Sequence, residues 1–174
     1  MLKQFKMQRR ILIVSILVFT SLFLKAQKTN ARNSHLDSIE LVKNLMRKDD
    51  SVTSYAIGIS GKQSNQFQRF LYLINNLNTN DFVYLTKDSS ACLRIYAYAG
   101  LSFYRYTNID QVKEAFKKDT TLVSYMTGCL GGNVKTAAII SNLPKWYSMK
   151  STRNFLKEQN KDQLFWYRNF VFHN

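Results

Sequence analysis

The chain has 174 residues and a formal charge of +14, with 25 Lys and Arg against 11 Asp and Glu. That length suits one domain with a sizeable core and leaves too little for two. The basic excess fits an anionic partner such as nucleic acid, an acidic polysaccharide or a lipid headgroup surface, but the charges are spread along the chain, as on an ordinary lysine-rich solvated surface.

Met1 to Ala26 reads as a secretory signal peptide. Lys3, Lys6, Arg9 and Arg10 precede the 14-residue apolar run ILIVSILVFTSLFL, and Lys25-Ala26 leads into a polar segment. The run matches a signal h-region and falls short of the ~20 residues that span a bilayer. An uncleaved N-terminal anchor is the competing reading, favoured by Lys25 and an imperfect Leu24-x-Ala26 cleavage site. Cleavage puts the start of the mature chain near Gln27 and leaves 20 basic residues against 11 acidic ones, a charge of +9. The expected location is exported, periplasmic or secreted. Nucleic acid is not an expected partner there, and no membrane span is expected after cleavage.

Residues 27–174 then form the expected single domain. Ser34-His35-Leu36-Asp37 places an N-cap serine three residues ahead of an acidic side chain and predicts a helix carrying Leu36, Ile39, Val42 and Met46 at helical spacing, ended by Asp49-Asp50-Ser51. Ser54 to Lys62 is ambiguous: Tyr55, Ile57 and Ile59 alternate as in a strand, while a short helix ending at Gly61 fits equally. Its Gly58-Ile59-Ser60-Gly61-Lys62-Gln63-Ser64 is superficially like a phosphate-binding loop. That loop needs glycine where Ala56 stands and a hydroxyl where Gln63 stands, so the glycines read as a turn.

Ser64 caps the next predicted helix, with Phe67, Phe70, Leu71, Ile74 and Leu77 on one side and Gln66, Gln68, Arg69, Asn75 and Asn76 on the other. Thr79 caps a short one carrying Phe82, Val83 and Leu85. Ser90 to Tyr106 is the longest apolar, proline-free stretch of good helix formers, and it divides into three faces. Cys92, Ile95, Tyr96, Ala99 and Phe103 form one; Leu93, Ala97, Gly100 and Tyr104 form a second; Arg94, Tyr98, Leu101, Ser102 and Arg105 form a narrow third. Two faces demand burial, so this helix belongs at the centre with neighbours on both sides. Asn108 caps a helix to Lys118; Asp119-Thr120 opens another with Leu122, Val123 and Met126; Leu130 to Asn133 reads as a loop; and Val134 to Leu143 reads as a helix ended by Pro144. Residues 145–174 supply an aromatic, helical C-terminal cap.

Seven or eight short helices on short turns predict an all-α domain, a short right-handed α-α superhelix of stacked antiparallel helix pairs. In keeping with this, Ser54-Tyr-Ala-Ile-Gly-Ile-Ser-Gly, the aspartate-serine turn before Leu93-Arg94-Ile95-Tyr96-Ala97, Asp119-Thr-Thr-Leu-Val and Gly128-Cys129 make residues 50–141 resemble a group of uncharacterised exported bacterial proteins with HEAT-like helical repeats. The resemblance implies that Arg94, Tyr96 and Ala97 open the inner helix of a pair. It carries no activity. The chain departs from the group in having Ile95 where relatives are expected to carry cysteine, with Cys92 one turn earlier.

An enzyme would need a nucleophile with a base, a carboxylate pair or a metal site. The two histidines, His35 and His173, stand near opposite ends, and most acidic residues sit at helix starts, where the helix dipole already accounts for them. No catalytic, cofactor-binding or metal-binding residue is therefore expected. The expected function is a non-catalytic envelope module binding a protein or peptide. A basic module for an anionic envelope polymer is the first alternative, and an enzyme of unrecognised type the second. Tyr98 and Arg105 are the candidate interaction surface, because tyrosine and arginine dominate binding hot spots. Arg94 is expected to pair with Asp88 or Asp119, and Tyr96 to be structural. Cys92 and Cys129 either pair in an oxidising compartment or remain two buried thiols.

Overall fold

The computed structural model describes residues 33–146. The signal segment 1–26, the expected start near Gln27, His173 and the aromatic segment beyond Trp146 lie outside the described residues. The chain divides into two compact units, Met1–Glu40 and Leu41–Asn174. In the first, helix α1 begins at residue 33, with the Ser38 hydroxyl donating to the Ser34 carbonyl at 2.8 Å. In the second, α1 runs on to residue 49 and is followed by β1 (Ser51–Ile57), β2 (Lys62–Gln63), α2 (Asn65–Asn76), α3 (Thr79–Leu85), α4 (Ala91–Phe103), α5 (Ile109–Phe116), β3 (Leu122–Gly128), β4 (Leu130–Lys135) and α6 (Thr136–Trp146).

The expected all-α HEAT-like superhelix is wrong. The fold is mixed α/β, with a four-stranded sheet in the order β2-β1-β3-β4. β1 and β3 run parallel at its centre, and an antiparallel hairpin hangs on each: β1 with β2, β3 with β4. The physical reason lies in residues 119–135. Leu122, Val123 and Met126 have helical spacing, yet Val123, Tyr125 and Thr127 are β-branched or aromatic and alternate with Leu122, Ser124 and Met126. Val123 is 2% exposed while Leu122 is 63% exposed, the signature of a strand buried on one face. Gly128-Cys129 then supplies a two-residue turn, Gly128 taking φ +55, a conformation glycine adopts without steric cost. The segment that looked like a loop, Leu130-Gly131-Gly132-Asn133, is the returning strand. In the ambiguous stretch the strand is the outcome, and it begins earlier, at Ser51.

The central helix is where its faces placed it. Cys92, Leu93, Ile95, Tyr96 and Leu101 of α4 are each 0% exposed, and α4 touches α3, α5, α6, β1 and β3. The sheet thus supplies part of the cover that further helices were expected to give. Ser90 caps α4, accepting the Leu93 N–H at 3.3 Å, and Ser64 caps α2, accepting the Phe67 N–H at 3.2 Å. For α3 the cap is Asn78, one residue before the expected Thr79, and a reciprocal bond from Asn78 N–H to Asp81 completes a capping box. The polar side of α2 divides: Gln66, Gln68 and Arg69 are buried, while Asn75 near the end of the helix is exposed. Gln66 instead donates to the carbonyls of Met46 and Ser51 at 3.0 and 3.1 Å, tying α2 to the α1–β1 junction.

Candidate functional site

Among the described residues β4 lies at one edge of the sheet, hydrogen-bonded to β3 alone. Thr127 and Leu130 close the two-residue turn and therefore form a hydrogen-bonded pair. By alternation Gly132 with Tyr125 and Val134 with Val123 are also hydrogen-bonded pairs, and the ladder continues at Thr136, whose N–H reaches the Thr121 carbonyl at 2.9 Å. The intervening Gly131, Asn133 and Lys135 consequently turn their backbone N–H and C=O groups away from β3, toward the open edge. All three are exposed. Of the usual guards of an edge strand, proline, a bulge, inward-pointing charge or edge lysine, β4 carries one, Lys135 at its end. On the face of β3 that carries Ser124, Leu122 and Met126 stand 63% and 40% exposed beside this edge.

The interaction surface expected at Tyr98 and Arg105 does not exist as one patch. Tyr98 is 4% exposed and stacks edge-on against Phe116, with ring centroids 6.2 Å apart; burial raises its hydroxyl pKa. The correction has a plain cause: α5 packs on the face of α4 that looked polar, and tyrosine is apolar enough to be covered. Arg105 is exposed, but its backbone is what the fold uses. Arg105 N–H bonds the Ser102 carbonyl at 3.2 Å and Tyr106 N–H bonds the Leu101 carbonyl at 3.0 Å, the two bonds of a Schellman cap that places Arg105 at φ +54.

Arg94 reaches across from α4 to the α5–β3 connection. Its Nε and Nη2 donate to Asp119 Oδ2 at 3.0 and 2.8 Å, and Nη2 also donates to Thr121 Oγ1 at 3.1 Å. Nη1 donates to the carbonyls of Asp88 and Ser89, each at 2.9 Å. Burial pushes the Asp119 carboxyl up, but the hydrogen bonds from Thr121 and Arg94 outweigh it and hold the group below the usual carboxylate range. Asp88 takes a different cation, Arg47, whose Nη2 lies 2.8 Å from its Oδ2. There too the carboxyl ends below its ordinary value, since the bonds from Arg47 and from Ser90 N–H exceed the opposing effect of burial.

Tyr96, fully buried, accepts the Thr53 N–H at 3.0 Å and so pins α4 to β1. Cys92 and Cys129 are both free thiols. Cys92 is buried and donates to the Ser51 carbonyl at 3.1 Å; burial pushes its pKa up, and the charge of Asp50 adds to this. Cys129 is exposed in the β3–β4 turn, so the two neither pair nor share a buried setting. His35 is exposed on α1. Among the described residues no three His, Cys, Asp or Glu side chains converge as metal ligands would, and no helix is long and apolar enough to cross a membrane.

The edge at Gly131, Asn133 and Lys135 is not legible in the sequence because two glycines and an asparagine carry the chemistry of a loop. The available signal was the two-residue Gly128-Cys129 spacing between Val123-x-Tyr125-x-Thr127 and Val134, a hairpin pattern. Comparison with protein-family models, with curated proteins and with solved structures gave no match to this chain.

Proposed function

We propose that this chain is an exported, non-catalytic binding module that holds an extended protein or peptide segment along the outer edge of β4. The observation that carries the proposal is the row of outward backbone groups at Gly131, Asn133 and Lys135, exposed and backed by a four-stranded sheet. An incoming strand would complete this ladder with main-chain hydrogen bonds, while Leu122 and Met126 offer apolar contact beside it. Export rests on the charged start and the apolar run of residues 11–24.

The test is capture from an envelope extract by the parent and by two proline variants. Asn133→Pro removes an outward N–H and leaves the β3 ladder intact, so the variant is expected to melt like the parent and to lose capture. Val134→Pro removes an inward N–H and is expected to lower the melting temperature. Undiminished capture by a folded Asn133→Pro variant would rule out strand addition at β4.

A further inference from the structure

Parallel pairing makes β1 and β3 leave the sheet at the same end, and their turns lie side by side there. Ile57 is in register with Gly128, Gly58 N–H bonds the Gly128 carbonyl at 2.8 Å, and Gly128 N–H bonds Ser54 Oγ at 3.2 Å. The first turn is closed on itself by Gly61 N–H to the Gly58 carbonyl at 3.1 Å. The two turns are therefore one hydrogen-bonded rim rather than two independent loops. Ile59 in the first turn is 98% exposed, and Leu130, the first residue of β4 directly after the second turn, is 71% exposed. An isoleucine left almost wholly in water at a turn tip contributes nothing to the core, and with Leu130 it gives this end of the sheet two exposed apolar side chains on turns that are hydrogen-bonded to each other.

We infer that this rim, residues 58–61 with 128–130, docks on an anionic lipid surface into which Ile59 and Leu130 insert. Charge identifies the occupant. The two turns and the residues flanking them, 58–63 and 127–130, contain Lys62 and no Asp or Glu, whereas Lys135 pairs with Leu122 at the opposite end of the sheet. Lys62 follows the Ile59 turn directly and is exposed, at the level where lipid headgroups would lie once Ile59 entered the acyl boundary. Shape agrees. Isolated protruding side chains need matching pockets in a protein partner, whereas a bilayer interface accepts them without complementarity. This inference stands apart from strand addition at β4, since it uses the end of the sheet and the earlier proposal uses its side. The two are compatible: a domain standing on its turns would hold the β4 edge clear of the surface.

The test uses the full chain labelled at Cys129 with a polarity-sensitive dye, Cys92 being fully buried. Because the apolar run of residues 11–24 can bind lipid by itself, sedimentation alone is uninformative, and the dye reads the rim directly. Phosphatidylglycerol vesicles are expected to shift the dye to the blue and expose it to quenching by brominated acyl chains; phosphatidylcholine vesicles are expected to do so about fivefold less effectively or worse for want of headgroup charge. Ile59→Ser and Leu130→Ser singly are each expected to diminish the shift, and together to abolish it, with the melting temperature unchanged. Lys62→Glu is expected to raise the lipid concentration needed by about fivefold or more. No shift, an equal shift in the double Ser variant, or a shift that arises without vesicles as protein concentration rises would overturn the inference; the last outcome would assign the rim to a second copy of the chain.

Discussion

Replacing Arg94 by alanine is expected to be among the most damaging changes to a charged residue in this chain. The guanidinium makes five hydrogen bonds that join two turns distant in sequence: the carbonyls of Asp88 and Ser89 ahead of α4, and Asp119 with Thr121 ahead of β3. The side chains of Arg94 and Asp119 are 14% and 15% exposed, so the pair lies between the solvated and the fully buried case. Exposed ion pairs contribute about 0–1 kcal/mol, whereas breaking a buried one costs about 3–5 kcal/mol because the remaining charge is stranded. Residual solvent contact lets water reach part of what is left, which places Arg94→Ala at about 2–3 kcal/mol. For a domain of this size that corresponds to a fall in Tm of roughly 6–12 °C. Urea denaturation of parent, Arg94→Ala, Asp119→Ala and the double variant would isolate the pair, with an expected coupling of about 1–2 kcal/mol. Arg94→Lys is expected to recover little, since an ammonium cannot reach both turns as the planar fork does. A cost below about 1 kcal/mol for Arg94→Ala would refute the claim that this residue clamps the two turns.

Acid should reach the same clamp. Asp119 has a folded pKa below its unfolded value of about 3.9, so its stabilising contribution is full above that value and disappears as pH falls through the lower folded one; Asp119→Asn should therefore lose stability at neutral pH and show a flatter acid limb in melts below about pH 4. A methyl at Gly100 would sit 2.6 Å from the Phe82 ring where α3 crosses α4, so Gly100→Ala is expected to destabilise by about 1–3 kcal/mol despite alanine's better helix propensity, and Phe82→Leu in the same chain should return part of it. Arg105 occupies a left-handed position that glycine fills without penalty, so Arg105→Gly should gain about 1 kcal/mol in urea melts while Arg105→Ala stays near neutral. Native alkylation followed by mass measurement should add one adduct, at Cys129, and a second only after unfolding without reductant.

What the sequence made legible was local. Caps at Ser64 and Ser90 and the apolar faces of α2 and α4 were readable because each is set by residues within a turn or two of one another. The arginine at position 94 could be narrowed to Asp88 or Asp119 because a charge on a mostly buried helix has few partners open to it, and the structure pairs it with Asp119. The sheet was not legible in this way. Its central feature, β1 beside β3, joins segments separated by four helices, and β1 by itself alternates over too few residues to be told from a short helix. β3 was misread because Leu122, Val123 and Met126 satisfy a helical period as well as a strand's, and only the buried-to-exposed step between Val123 and Leu122 decides between them. Tyr98 failed for a related reason. Its face looked polar on a helical projection, yet Phe116 of α5 supplies an aromatic partner that no local pattern announces.

The β4 edge is tested most directly by amide hydrogen exchange read residue by residue from Leu130 to Lys135. In the free chain, strand addition requires an alternating pattern, with the N–H groups of Gly132 and Val134 protected by β3 and those of Gly131, Asn133 and Lys135 exchanging freely. On loading with the segment captured from the envelope extract, the three outward amides should slow together, while the inward ones change little. Protection of Gly131, Asn133 and Lys135 already in the free chain, or their continued fast exchange in the loaded one, would contradict a partner strand at this edge.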